Sequence, residues 1–185
     1  LKGTIYIVSG LPRSGTSLMM QMLAAGGLPL LTDGERQADE SNPKGYYEYT
    51  PVKGTAKDNG WVAQADGKGV KVILQLLRHL PRDYHYKVIF MERALPEVLR
   101  SQQTMLGKDP EVFPEAIANA FTRELERLPA WVEEMPQVEL LRVPYQEVIA
   151  NPHQWAEQVA TFLGKGLDAE AMAEAVDPQL YRNRQ

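Results

Sequence analysis

Six residues near the start of the chain have the types and spacing to hold an anion: Gly10, Arg13, Ser14, Gly15, Thr16 and Ser17. Gly10 and Gly15 bracket a loop that must turn sharply and leave its amides uncovered. Thr16 and Ser17 add hydroxyl donors. Arg13 adds a cation that stabilises charge and, keeping its proton at working pH, is no general acid. The glycine spacing is that of G-x-x-x-x-G-K-[ST], whose lysine serves the β- and γ-phosphates of a nucleoside triphosphate. Thr16 stands where that lysine would be, so a phosphate-like anion is expected here without an ordinary ATP or GTP site. Far along the chain Arg93 closes an apolar run, and Ser101 follows eight residues later.

The elements that must position these residues can be read around them. Ile5, Ile7 and Val8 favour a buried strand, and Leu18, Met19, Met22 and Leu23 share one face of a helix beginning after Gly15. Strand, glycine-bounded loop and helix together build an anion site, because the first amides of the helix lack internal partners. Gly26-Gly27-Leu28-Pro29 ends that helix. Residues 32 to 45 form a long loop rich in turn formers, running into Asn42-Pro43-Lys44-Gly45-Tyr46-Tyr47-Glu48-Tyr49. Residues 53 to 69 are weakly patterned and predict a variable loop or lid, in which Trp61 either anchors the loop or walls a substrate. Val70–Ile73 predicts a short strand leading into helix as far as Leu80.

Lys87-Val88-Ile89-Phe90-Met91-Glu92-Arg93 is the next buried strand, and Pro96 opens a helix through about Met105. Arg93 thus stands at the C-terminal edge of a strand, where open α/β sheets bind ligands; an ion pair with Glu92 or Glu97 is the alternative. Ser101 falls about two turns into the helix. Glu111 to Met135 predicts helix that Pro129 must kink or break, with Arg123, Glu124, Glu126 and Arg127 as a solvated face. Val138–Val143 is a third buried strand, followed by helix to a C-cap at Gly164. The tail from Asp168 begins helical and ends in a basic segment holding Arg182 and Arg184.

With 185 residues, 44% of them hydrophobic and 24% charged, the chain suits one domain (1–185) with a substantial core. A net charge of −4 argues against a broad nucleic-acid surface. Without cysteine there are no disulfides, thiolate metal sites or cysteine nucleophiles, which suits the cytoplasm. No apolar run approaches the ~20 residues of a membrane span, and because Leu1 opens almost directly into the first strand no signal peptide is expected in this sequence.

Pro12-Arg13-Ser14-Gly15-Thr16-Ser17 resembles the 5′-phosphosulfate-binding loop of sulfotransferases, which use 3′-phosphoadenosine 5′-phosphosulfate (PAPS). Many members have lysine where this chain has Arg13; others have arginine. The pair Arg93 and Ser101 resembles the family's 3′-phosphate motif. Asn42–Glu48 resembles the N-P-x-G-[YF]-x-E stretch of bacterial sulfotransferase-like proteins, which lies on the acceptor side. Pro144–Pro152 is similar to the family's Y-E-D-L-x-x-x-P segment. The resemblance implies an α/β fold, a three-layer αβα domain with a mainly parallel sheet of the P-loop type. It also implies transfer of a sulfuryl group from PAPS to an unidentified hydroxyl or amine acceptor, without a metal.

The chemistry asks for an anion cradle, a cation and a base. The resemblance assigns Arg13, Ser14, Gly15, Thr16 and Ser17 to the 5′ end of the donor, and Arg93 and Ser101 to its 3′-phosphate. Glu48 is the candidate base, its proton affinity raised by burial against Tyr46 and Tyr49. Lys44 is a candidate for neutralising the sulfuryl oxygens, and Lys71 is a weaker alternative. His79, His85 and His153 do not stand where cytosolic members place a histidine base. In family members a basic C-terminal segment often folds over the nucleotide, which nominates Arg182 or Arg184; a frayed, solvated end is the alternative. Two other readings remain open: a kinase-like phosphotransferase, which Thr16 opposes, and a non-catalytic nucleotide-binding protein of the same fold.

Overall fold

Four apolar runs form one parallel sheet: β1 (Thr4–Gly10), β2 (Gly69–Lys71), β3 (His85–Glu92) and β4 (Val138–Pro144), in the order β2-β1-β3-β4. They come from a computed structural model that describes residues 1–177 and 179. The α-helices are α1 (Thr16–Ala25), α2 (Leu95–Met105), α3 (Glu115–Glu134), α4 (Tyr145–Ala150), α5 (Pro152–Leu163) and α6 (Ala169–Glu174).

Strand alternation divides the apolar residues between two cores. Ile5 and Ile7 of β1, with Tyr86, Val88 and Phe90 of β3, face the layer containing Val98 of α2 and Phe121 and Leu128 of α3. Tyr6 and Val8, with Ile89 and Met91, face Met19, Met20 and Leu23 of α1 and Val159 and Leu163 of α5. Helices therefore cover both faces of a parallel sheet, the expected three-layer α/β arrangement. Each fully buried Ile, Leu or Met contributes on the order of 1.5–3 kcal/mol.

The strand order places a crevice at one end of the sheet. From β1 the chain crosses to β2 on one side, then returns to β3 on the other. The connections leaving β1 and β3 diverge at their C-terminal ends, where open sheets receive ligands. Gly10 pairs in register with Met91, so the glycine-bounded loop and Arg93 emerge side by side.

Three local expectations need correction. Residues 53–69 are not a lid: two 3-10 helices, Thr50–Gly54 and Gly60–Ala65, bury Val52, Trp61, Val62 and Ala65 in the core. Trp61 is an anchor, its indole Nε1 donating to Thr55 Oγ1 at 3.0 Å. β2 ends at Lys71, short of the expected Ile73, and the helix that follows is a 3-10 helix, Leu74–His79. Pro129 does not break α3, which runs through it to Glu134, because packing of Phe121 and Leu128 carries the helix past the lost backbone bond. Arg182 and Arg184 lie outside the described residues.

Candidate functional site

Gly10 and Gly15 are required by the loop they bracket. Gly15 has φ 98°, and a Cβ there would stand 2.4 Å from Tyr145 Cδ2. A Cβ on Gly10 would meet Ser14 Oγ at 2.4 Å and the Met91 carbonyl oxygen at 2.9 Å. The loop is thus pressed against β3 and α4, with α1 starting from it at Thr16. The first amides of α1 face the crevice without intrahelical partners, at the positive end of the helix dipole.

Ser14 plays a different part from its neighbours. Its hydroxyl donates to the Leu11 carbonyl at 2.6 Å, its backbone N–H reaches the same oxygen at 3.3 Å, and the residue is buried. Its side chain closes the loop and does not line the crevice. Gly15, Thr16 and Ser17 do line it, around a cavity of about 530 Å³.

Arg13 has φ 66°, a left-handed conformation costly for a residue with a Cβ. The strained backbone turns its guanidinium across the crevice. Nε donates to Ser101 Oγ at 3.0 Å, and Nη2 donates to the Ser41 carbonyl at 3.1 Å. Burial draws its pKa below the ordinary arginine value, opposed by Tyr46 and reinforced by Arg93 and Arg36. Arg93 approaches from β3: its Nη1 donates to the Arg13 carbonyl at 2.9 Å, and its Nε to Glu97 Oε2 at 2.9 Å. Side-chain exposures of 6% for Arg93 and 0% for Glu97 make this a buried ion pair. Gln146 Nε2 donates to the other Glu97 oxygen at 2.9 Å, and the Arg93 guanidinium lies 4.9 Å from the centroid of the Tyr145 ring. The ion pair with Glu97 is therefore present, and Arg93 still lines the cavity beside Ser101.

Lys71 ends β2 and is 8% exposed. Its Nζ donates to Ser17 Oγ at 2.8 Å and to the Tyr46 carbonyl. Burial is the main cause that brings its pKa down to about 7; Glu48 opposes the shift, while Arg36 and Arg13 assist it. Tyr46 is clasped on several sides. Its hydroxyl bonds to Asp39 Oδ1 and Oδ2 at 2.8 and 2.7 Å, and the Arg36 guanidinium lies 3.5 Å over its ring. Burial first, then Asp39, raises the Tyr46 pKa.

Glu48 lines the cavity, but not in the expected setting. Two cations hold it: Arg36 Nη1 at 2.7 Å and Lys53 Nζ at 3.5 Å, with the Glu48 side chain 21% exposed. The anticipated apolar burial against Tyr46 and Tyr49 gives way to an ion-pair network. Lys44 donates to the Ala175 carbonyl at 3.2 Å and does not line the cavity. His79, His85 and His153 do not line it either; His153 pairs with Glu170 at 3.2 Å. Among the described residues no group of three or more His, Cys, Asp or Glu side chains is placed to hold a metal ion. Nor is any described helix long and apolar enough to cross a membrane.

A sequence model described as "Sulfotransferase family" matches residues 61–169, more than half of the chain. The chain belongs to the sulfotransferase family. The matched stretch holds Lys71, Arg93 and Ser101 and begins after the glycine-bounded loop, so loop and family match are independent observations. Among solved structures, a "Sulfotransferase Domain from the Curacin Biosynthetic Pathway" is similar over 98% of this chain and 87% of that one, with a TM-score of 0.54 and 15% identity. At that identity the likeness shows the fold. No curated protein matches the chain.

The family motifs pointed to the loop, Arg93 and Ser101. They did not point to Arg36, Asp39 or Ser41. One signal was available for the burial of Lys71: a lone lysine flanked by Val70 and Val72 in a short apolar run.

Proposed function

We propose that this sulfotransferase-family chain uses PAPS as donor and passes its sulfuryl group to a hydroxyl or amine acceptor. One observation carries the reading: the loop and the β3–α2 pair form a single connected site. Arg13 Nε reaches Ser101 Oγ at 3.0 Å, and Arg93 Nη1 reaches the Arg13 carbonyl at 2.9 Å. A ligand with anionic groups at two ends suits such a site better than one with a single phosphate chain. The residues present fit that donor. Amides at the start of α1, with Arg13, Thr16 and Ser17, would hold its 5′ end; Arg93 and Ser101 would hold its 3′-phosphate.

When bound, the donor supplies a sulfur that exchanges its bond to the 5′-phosphate for one to the acceptor, the bonding electron pair leaving with the phosphate. Arg13 stays protonated and balances the charge that gathers there. The acceptor proton needs a base. Glu48 and Lys71 both line the cavity, and the geometry favours Lys71. Arg36 and Lys53 already occupy the Glu48 oxygens. A neutral Lys71 amine has two N–H groups, one for Ser17 Oγ and one for the Tyr46 carbonyl, and keeps a lone pair for the proton.

Calorimetry with adenosine 3′,5′-bisphosphate and with ATP, each with and without magnesium, tests the donor. The expected result is tighter, magnesium-independent binding of the bisphosphate. Tighter magnesium-dependent binding of ATP would refute the proposal and favour a phosphotransferase.

A further inference from the structure

The acceptor side of the cavity has a composition of its own. The segment after β2 is extended at Ile73, with φ −62° and ψ 152°. Alternation then sends Val72 one way and Lys71 and Ile73 the other. Val72 is fully buried in the core, whereas Lys71 and Ile73 both line the cavity. Ile73 is 37% exposed, among the few large apolar side chains left open on this protein. Leu76 lines the same cavity from the following 3-10 helix, and Val52 and Tyr49 from the segment opposite. Tyr49 is braced edge-on by the buried Trp61, ring centroids 6.3 Å apart. The result is a supported apolar wall beginning two residues from the Lys71 amine.

Such a wall is costly to leave in water and is repaid by an apolar ligand. A polyhydroxylated acceptor would have to give up hydration to lie on Ile73, Leu76, Val52 and Tyr49, which offer a single hydroxyl among them. That hydroxyl, on Tyr49, already donates to Gln64 Oε1 at 3.2 Å. The polar groups nearby, Arg36, Glu48 and Lys53, are engaged with one another.

We infer that the acceptor carries its hydroxyl or amine on an aromatic or alkyl body, which packs on the wall of Tyr49, Val52, Ile73 and Leu76, and that saccharides are excluded. This rests on the sulfuryl-transfer reading and deepens it by naming the substrate class. Ile73 is the specificity-determining residue, since it is the open apolar group nearest the amine along the chain.

The test compares 2-naphthol with methyl glucoside, as substrates with PAPS and as ligands of the protein saturated with adenosine 3′,5′-bisphosphate. The expected result is binding and turnover of 2-naphthol at least tenfold better than of methyl glucoside. Ile73→Ser should raise the KM and dissociation constant for 2-naphthol by roughly tenfold, the usual discrimination for lost apolar contact in a pocket. The same variant should leave bisphosphate affinity within about twofold, which separates a specificity role from general damage. Equal or better use of methyl glucoside, no binding of 2-naphthol, or an unchanged 2-naphthol constant in Ile73→Ser would each overturn the inference. Failure of the wild type to bind the bisphosphate would count against the donor reading alone, because calorimetry also titrates 2-naphthol and methyl glucoside into the protein without bisphosphate, where the wall is read separately.

Discussion

Lys71 makes the most demanding prediction, because its burial couples activity to stability. In the unfolded chain its amine has the ordinary lysine value of 10.5; in the fold, burial lowers it to about 7. Between those values the unfolded chain binds more protons than the folded one. Stability must therefore rise with pH across that window, by up to about 1.4 kcal/mol for each unit. From about pH 7 to about pH 9 the gain from this one group is about 2 kcal/mol, since the folded amine is roughly half protonated at the start and neutral at the end. Below about pH 7 the group is protonated in both states and its contribution levels off at its least favourable.

Lys71→Met keeps the length of the side chain and removes the titration. Urea unfolding of both proteins at the two pH values gives four stabilities, and groups other than Lys71 cancel in the double difference. The expected double difference is about 2 kcal/mol, with the variant showing the flatter pH dependence. The lost bonds to Ser17 and Tyr46 shift the variant by a similar amount at both pH values and drop out. A double difference near zero would refute the argument, meaning that the amine is solvated well enough to keep its ordinary value. The same titration appears in catalysis. If neutral Lys71 accepts the acceptor's proton, kcat/KM rises through about pH 7; a fall would make Lys71 an electrostatic cation instead.

The remaining predictions concern neighbours of that amine. Glu48→Gln should keep turnover within several-fold, whereas Lys71→Met should lower it by roughly 10²–10⁴-fold; the reverse order in a radiolabelled-donor assay would return the base to Glu48. Arg93→Ala should cost about 1.5–3 kcal/mol of stability through loss of its charge-assisted bond to the buried Glu97 carboxylate. Arg93→Ala with Glu97→Gln should recover much of that stability in urea unfolding without recovering affinity for adenosine 3′,5′-bisphosphate, and recovery of both would make Arg93 purely structural. Gly15→Ala, forced against the Tyr145 ring at φ 98°, should destabilise by roughly 1–3 kcal/mol and weaken bisphosphate binding by calorimetry; unchanged affinity would mean that the loop is not the anion cradle.

What the sequence revealed and what it hid follow from how far apart the determinants lie. The β1–loop–α1 unit was legible because everything that shapes it is local: β-branched residues for the strand, two glycines where a Cβ has no room, and a helical apolar face directly after them. Arg93 and Ser101 were legible for the same reason, since an apolar run, a Pro at the helix start and an eight-residue interval fix both positions. Residues 53–69 misled because 3-10 turns carry no 3.6-residue period, and their burial rests on Val52, Trp61, Val62 and Ala65 set at irregular intervals.

The setting of Glu48 was illegible for a different physical reason. Local reading placed it between two tyrosines and so predicted an apolar environment. The charges that surround it come from Arg36, twelve residues back and stacked on Tyr46, and from Lys53, five residues ahead. Lys71, by contrast, reaches the same cavity from a three-residue strand whose neighbours Val70 and Val72 are fully buried. A lysine in that position must either find an anion or give up its proton more readily. Its direct partners in the structure are a hydroxyl and a carbonyl. Neither brings a full negative charge to offset desolvation, and that is the physical reason for looking to Lys71, ahead of the ion-paired Glu48, as the group that takes up a proton.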